Sequence, residues 1–303
     1  MIMSFKKAFL FGVFVCSVIL FADLAVAVDK YKVVFSRKDK LGGEFNILAT
    51  GSNLQTVKVR RDDEVIDNKR ITYDFKFDAE AKVLLLSQRQ QASKIAFTVN
   101  TFSLEKDGKV TELYPKGTVI TAYAANGNTA FESSTGKLQP IAQAILPLFI
   151  SVDTGGINND DIFGCSELKA PGDTWQVDQD SVFKKLRNEP FAKTLKIDDI
   201  SGEVKFVKIV DFKSVKCMEI SAEMNLKNSL FPVPPPFAPD KSSFKVSFSG
   251  IFPVDVSKSL MAGSRTNELV FSATGEPGDD KGGKLYLDMR VENDLKYWIK
   301  TKK

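Results

Sequence analysis

Three features of this sequence predict a mainly β fold, in which a strongly curved, half-barrel-like antiparallel sheet wraps a central apolar helix. Apolar and polar residues alternate with period two over most of the chain. Tight-turn dipeptides separate the alternating runs, and one apolar segment breaks the pattern near the middle. Period-two alternation marks half-buried antiparallel strands, with one face on a core and the other in water. A helix apolar on most sides needs cover, which a curved sheet supplies; two sheets packed as a β-sandwich are the alternative.

The chain opens with Lys6 and Lys7, an apolar run over 8–22, and Ala25-Val26-Ala27. That order is a secretory signal peptide cut between Ala27 and Val28, which places the mature protein outside the cytoplasm, secreted or periplasmic. The run removed is the only long apolar one, so no transmembrane segment is expected in the mature chain. Cys16 follows Val15, where lipid modification needs a small residue, so a soluble protein is expected rather than a lipoprotein. Residues 28–303 then form a single antiparallel β-rich domain. An alternative division has two halves, 28–135 and 171–303, joined by the helix and loop of 136–170.

The strands follow in order. Ile71, Tyr73, Phe75 and Phe77 alternate with Thr72, Asp74, Lys76 and Asp78. Ile95, Phe97 and Val99 continue on odd numbers, and then Phe102 and Leu104 fall on even ones, a one-residue slip that predicts a β-bulge near Asn100-Thr101. Asp107-Gly108 and Asn126-Gly127 are hairpin turns, because both dipeptides tolerate positive φ. In 136–150, Pro140 suits a first helical turn, Ile141, Ala144, Ile145 and Leu148 share helical spacing, and Pro147 kinks or splits the element. A short helix is expected over 180–187. Phe244, Val246, Phe248, Phe252, Val254 and Val256 keep one parity, as do Leu285, Leu287, Met289 and Val291. The proline-rich stretch 231–239 reads as a crossing loop.

Several chemistries are excluded or weakened. With no histidine, a Ser-His-Asp or Cys-His nucleophile of the usual form is ruled out, as is an imidazole metal ligand. The acid pairs Asp62-Asp63, Asp160-Asp161, Asp198-Asp199 and Asp279-Asp280 sit at turns. Neighbours on a strand point to opposite faces, so these pairs read as turn residues rather than a catalytic dyad. The oxygen-rich loop over 153–161 lacks the EF-hand spacing of a calcium site. A net charge of +4, spread along the chain, gives no nucleic-acid footprint. No enzyme, metal or cofactor is therefore expected. Cys165 and Cys217 are candidates for a disulfide that would close a loop of about 53 residues, worth roughly 4 kcal/mol.

The segment Pro171-Gly172-Asp173-Thr174-Trp175, after an apolar helix and before long alternating strands, resembles a Pro-Gly-Asp-x-Trp element of uncharacterised secreted bacterial β-rich proteins. The element order is more distantly similar to that of carriers of the lipoprotein-localisation-factor type, and this likeness implies a half-barrel holding lipid chains under a helical lid. No functional residue carries over from either.

The expected function is a non-enzymatic carrier or binding protein for an apolar or amphiphilic envelope ligand. Phe75, Phe97, Phe206 and Phe248, each mid-strand on the apolar parity, are the candidate wall of its site. A structural or protein-interaction component of the cell envelope, partnered by another envelope protein, is the alternative. The signal-peptide reading predicts that exported protein begins at Val28 with a free amine, and N-terminal sequencing that finds Met1 or an acylated cysteine contradicts it.

Overall fold

In the computed structural model, residues 29–36, 38–187, 192–228, 233, 235–258, 260–276 and 283–301 are described. The signal-peptide segment and the Asp279-Asp280 pair lie outside these residues. Alternation becomes twelve strands: β1 (Glu44–Arg61), β2 (Glu64–Leu86), β3 (Ala92–Lys106), β4 (Lys109–Tyr114), β5 (Val119–Ala125), β6 (Asn128–Ser133), β7 (Thr174–Gln176), β8 (Ile200–Phe212), β9 (Val215–Lys227), β10 (Phe237–Pro253), β11 (Leu260–Gly275) and β12 (Leu285–Thr301). Both predicted hairpin dipeptides form, with φ of 53° and 73° at Asp107-Gly108 and 50° and 79° at Asn126-Gly127. The predicted bulge also forms: Asp78 pairs with Thr101 and Ala79 with Val99, which leaves Asn100 as the extra residue.

All twelve strands belong to one sheet in the order β6-β5-β3-β2-β1-β12-β11-β10-β9-β8-β7, with β4 paired to β3. Every ladder is antiparallel, and the first and last strands are neighbours in its middle. The sheet is open, with β6 and β7 at its two ends, and is not strongly curled. The half-barrel expectation is corrected on this point, and the β-sandwich alternative does not form either. Alternation reports which residues share a face; a flat, a curled and a closed sheet share the same alternation.

The central helix is corrected as well. Helix α1 spans only Pro140–Ile145, and Leu146–Leu148 tightens into a 3-10 turn. Pro140 occupies the first turn as expected, and of the two outcomes expected at Pro147 the element is split, the α-helix ending at Ile145 and a 3-10 turn following. Six residues give the sheet no helix to wrap. Two further short helices are α2 (Asn159–Phe163) and α3 (Gln179–Leu186), the second close to the expected 180–187. Strand β10 begins at Phe237, inside the proline-rich stretch read as a crossing loop. Pro239 is tolerated there because β9 joins β10 only from Ser243 onward, so that end of β10 is paired on one side.

Directly paired residues share a face. One row can be followed across seven strands through Ala222, Phe248, Arg265, Leu295, Gly51, Phe75 and Leu104. The apolar parities of all the long strands therefore lie on a single face. Two glycines in its middle are shaped by aromatic rings: a Cβ on Gly51 would lie 2.7 Å from the Phe75 ring, and one on Gly263 would lie 2.9 Å from the Tyr297 hydroxyl. Each is the direct cross-strand partner of its aromatic residue, so the ring lies down over the partner backbone.

The chain covers this face in three places. Leu138, Ala142, Ile145, Leu146 and Ile150 pack on β1, β2, β3 and β5. Tyr31, Val33 and Phe35 cover β8 to β10 together with Phe163, and α3 adds Val182 nearby. Val233 and Phe237 meet Phe271, Ala273 and Leu287. Ile145 is 1 % exposed, so Ile145→Asp places an unpaired charge in the first of these cores. A loss of about 3–5 kcal/mol is expected, read as a lowered midpoint in thermal or urea unfolding; an unchanged midpoint contradicts the packing.

Candidate functional site

Between the covered regions, the apolar face carries a row that does not follow its pattern. Asn267, Asn293 and Asn53 are successive partners across β11, β12 and β1, and Tyr73 of β2 ends the row. Asn53 is 4 % exposed and Asn267 7 % exposed. Asn53 Nδ2 donates to Asn293 Oδ1 at 2.7 Å, while the buried Asn53 Oδ1 has no hydrogen-bond partner. In the adjacent row, Arg265 lies between Phe248 and Leu295, and its Nε donates to Asn267 Oδ1 at 2.9 Å.

The electrostatics of this region follow from burial. Burial lowers the pKa of Arg265 and raises those of Tyr297 and Tyr73. Lys185 comes from α3, three residues on from the buried Val182. It keeps solvent contact, yet surrounding protein lowers its pKa, and the charge of Arg265 lowers it further. Asp161 is the carboxylate that acts on Lys185. That side chain also accepts from the Asn158 backbone at 2.8 Å and stands 4.0 Å from Arg89. Around the polar row, Val57, Ile71, Leu269, Met289 and Val291 are half-buried on the same face. The arrangement is an apolar surface with an amide row and one arginine, Arg265, at its centre, while Lys185 is exposed.

The four phenylalanines chosen as a wall are not brought together. Phe75 is stacked on Phe149, and Phe97 meets Phe45 and Phe77 in the first core. Phe206 packs on Tyr31, and Phe248 on Phe35 and Phe163, in the second. Sequence reading missed Asn53, Asn267, Asn293 and Arg265. Their signal was available: each is a polar residue on an apolar parity, as Asn293 is between Val291 and Leu295.

Other motifs acquire structural roles. Gly172 has φ +96° and donates to the Phe206 carbonyl, Asp173 accepts from the Ala170 backbone at 2.8 Å, and Trp175 Nε1 donates to the Phe163 carbonyl at 2.8 Å. The Pro-Gly-Asp-x-Trp element thus ties β7 to β8 and α2. Asp62 turns the β1–β2 hairpin, and Asp161 and Asp199 cap short helical turns. Asp160 accepts from the backbones of Phe35 and Ser36, holding the N-terminal arm. Cys165 and Cys217 are free thiols, the first half-buried and the second buried, and no bond joins them. Cys217 is buried on β9, and the register shift in the β8–β9 ladder falls on β8, between Phe206 and Lys208.

The opposite face is polar and holds two open clefts of about 540 and 520 Å³. Asp74, Lys76, Glu105, Asp294 and Lys296 dominate the first. Leu48, Ile251, Phe212 and Trp298 line the second, with Lys213 4.6 Å above the Trp298 ring. Among the described residues no helix is long and apolar enough to cross a membrane.

No family model matches the chain, and no curated protein matches it. Among solved structures, it is compared with an outer-membrane channel of Pseudomonas putida F1 at 9 % identity, over 90 % of this chain and 98 % of that one, with a TM-score of 0.23. The P. putida toluene transporter TodX gives 7 % identity over 86 % and 90 %, with a TM-score of 0.17. The Salmonella injectisome secretin InvG gives 10 % identity over 87 % and 65 %, with a TM-score of 0.16. Scores this low do not establish a shared fold.

The thiols provide a direct check on this packing. Without reductant, both should alkylate, Cys165 in the native protein and Cys217 only after unfolding, because burial hides its thiol and raises its pKa. Peptide mapping that recovers a Cys165–Cys217 disulfide contradicts the arrangement.

Proposed function

We propose that this chain is a non-enzymatic binding protein of the cell envelope that holds an apolar or amphiphilic ligand on the uncovered middle of its apolar face. One observation carries the reading. The apolar face runs across the whole sheet, and the chain buries it on either side while its middle stays half-buried around a polar centre. A surface meant only for stability would be filled, because unfilled apolar area forfeits about 25 cal/mol per Å². The phenylalanines do not form the binding wall in this reading; they build the two cores that hold the sheet on either side. Ile71 and Val291 take that place, with Val57, Leu269 and Met289 at the border of the patch that Val233 and Phe237 cover.

A second reading is a structural or protein-interaction component of the envelope, and the cleft around Trp298 favours it. An aromatic ring, apolar neighbours and a lysine on an otherwise charged face suit a partner's side chain better than a free acyl chain.

Titration calorimetry of delipidated protein with straight-chain amphiphiles of increasing length tests the first reading. Each added methylene should tighten binding by about fourfold until the surface is covered, since burying one is worth about 0.8 kcal/mol. Absent or length-independent binding transfers the assignment to the interaction reading.

A further inference from the structure

We propose that the polar face docks an extended segment of a partner protein along the β1–β12 ladder, with a large apolar side chain of the segment on Trp298, a carboxylate on Lys296 and a basic side chain on Asp294. This rests on the interaction reading above and names its partner's chemistry. An apolar row interrupts the charged face: Ile251, Ala262, Trp298 and Leu48 are successive partners across β10, β11, β12 and β1, all half-buried. Phe212 and Lys213 line the same cleft, and Lys213 Nζ lies 4.6 Å from the centre of the Trp298 ring. Strand β8 stands four places from β12 in the sheet, about 19 Å at the usual strand spacing. That exceeds the reach of a lysine, so the β8–β9 turn leans over the face and walls the cleft.

The two clefts of this face share Thr50 and Lys296 and so form one groove along the ladder. Trp298, Lys296 and Asp294 alternate along β12 and point the same way. An extended chain laid over them repeats that spacing, so its alternate side chains meet an apolar, a cationic and an anionic position in turn. The charges in the groove are left for such a chain. Elsewhere on this face acids and bases of adjacent strands are joined, as Lys82 is to Glu44, Lys208 to Glu219 and Lys245 to Glu223. Among the described residues, no ion pair or hydrogen bond engages the side chains of Lys296, Lys76, Asp294, Asp74 or Glu105. Asp74 and Glu105 are direct cross-strand partners, a like-charge pair that weakens a ladder. A free small molecule is buried in its own site by about 70–90 %. These clefts are open along their length, which suits a chain that continues past them.

The test titrates the mature protein with a short peptide, blocked at both ends, that carries Phe, Glu and Lys at alternate positions. Calorimetry reads the affinity, and tryptophan emission reads the site, since Trp298 and Trp175 are the chain's two tryptophans. Binding should shift the emission of the native protein and leave that of Trp298→Phe unchanged. Replacing Phe by Ser in the peptide should weaken binding at least about tenfold, the loss expected of an anchor side chain, and this arm needs no protein variant. Exchanging Glu and Lys in the peptide should weaken it by about threefold to tenfold. Lys296 is exposed, so Lys296→Gln should fold, as far-ultraviolet dichroism establishes, and should remove most of the dependence on Glu. A peptide that binds through Phe with no dependence on charge overturns the proposal while the interaction reading stands. Dodecanoate shifting the Trp298 emission where the peptide does not, or a dimer broken by Trp298→Ala, gives the cleft to an amphiphile or to a second copy and also overturns it. No binding of any peptide at up to about 1 mM removes the proposal and the interaction reading together.

Discussion

The ladder between β1 and β12 is the interaction on which the rest of the sheet depends. It runs from Phe45↔Thr301 to Arg61↔Leu285 and joins the two ends of the chain in the middle of the sheet. Without it there would be two meanders, β1 to β6 and β7 to β12, each ending in a long unpaired strand of 18 or 17 residues. Such edges are templates for aggregation. Joining them buries both, and the outermost strands are then β6, with six residues, and β7, with three. The ladder spans most of the chain, so its closure comes late on topological grounds, after the local hairpins have formed. Loop-closure entropy grows only with the logarithm of length, so the separation slows that step more than it weakens the result.

The same ladder determines where the polar row falls. Asn53 meets Asn293 only in this register, and Asn293 meets Asn267 only because β11 pairs with the other side of β12. A one-residue slip would carry Asn53 and its apolar neighbours Ile47 and Ala49 to the charged face. A two-residue slip would set its amide against Val291 or Leu295. The Asn53–Asn293 bond thus penalises wrong registers, a use of buried polar groups with good precedent.

Much of the fold was legible in the residues because period-two alternation and turn chemistry are local. The Asp107-Gly108 and Asn126-Gly127 hairpins, the bulge at Asn100 and the apolar parities of β2, β10 and β12 all follow from a few neighbouring side chains. Partnership and curvature do not. Nothing local in 44–61 names 285–301 as its neighbour, and alternation is blind to whether a sheet curls, so the half-barrel was an inference from the apolar segment alone. That segment misled because Leu138, Ile145 and Ile150 are as well buried by a six-residue helix and a turn as by a long helix. The phenylalanines misled in a related way: a mid-strand aromatic on the core parity becomes core wherever the chain supplies cover. The better guide to a site was the exception to the pattern, and Asn53, Arg265 and Asn293 were visible as exceptions.

Register specification accounts for the asparagines and leaves Arg265 unexplained. Its cross-strand partners are Phe248 and Leu295, neither of which offers it a hydrogen-bond acceptor or an opposite charge. Its bond to Asn267 joins i and i+2 within one strand, which holds the side chain without tying two strands together. A leucine in its place would continue the face between Phe248 and Leu295 and bury more apolar area. Arg265 is thus kept at a cost in apolar burial, which sets it apart from the asparagines beside it.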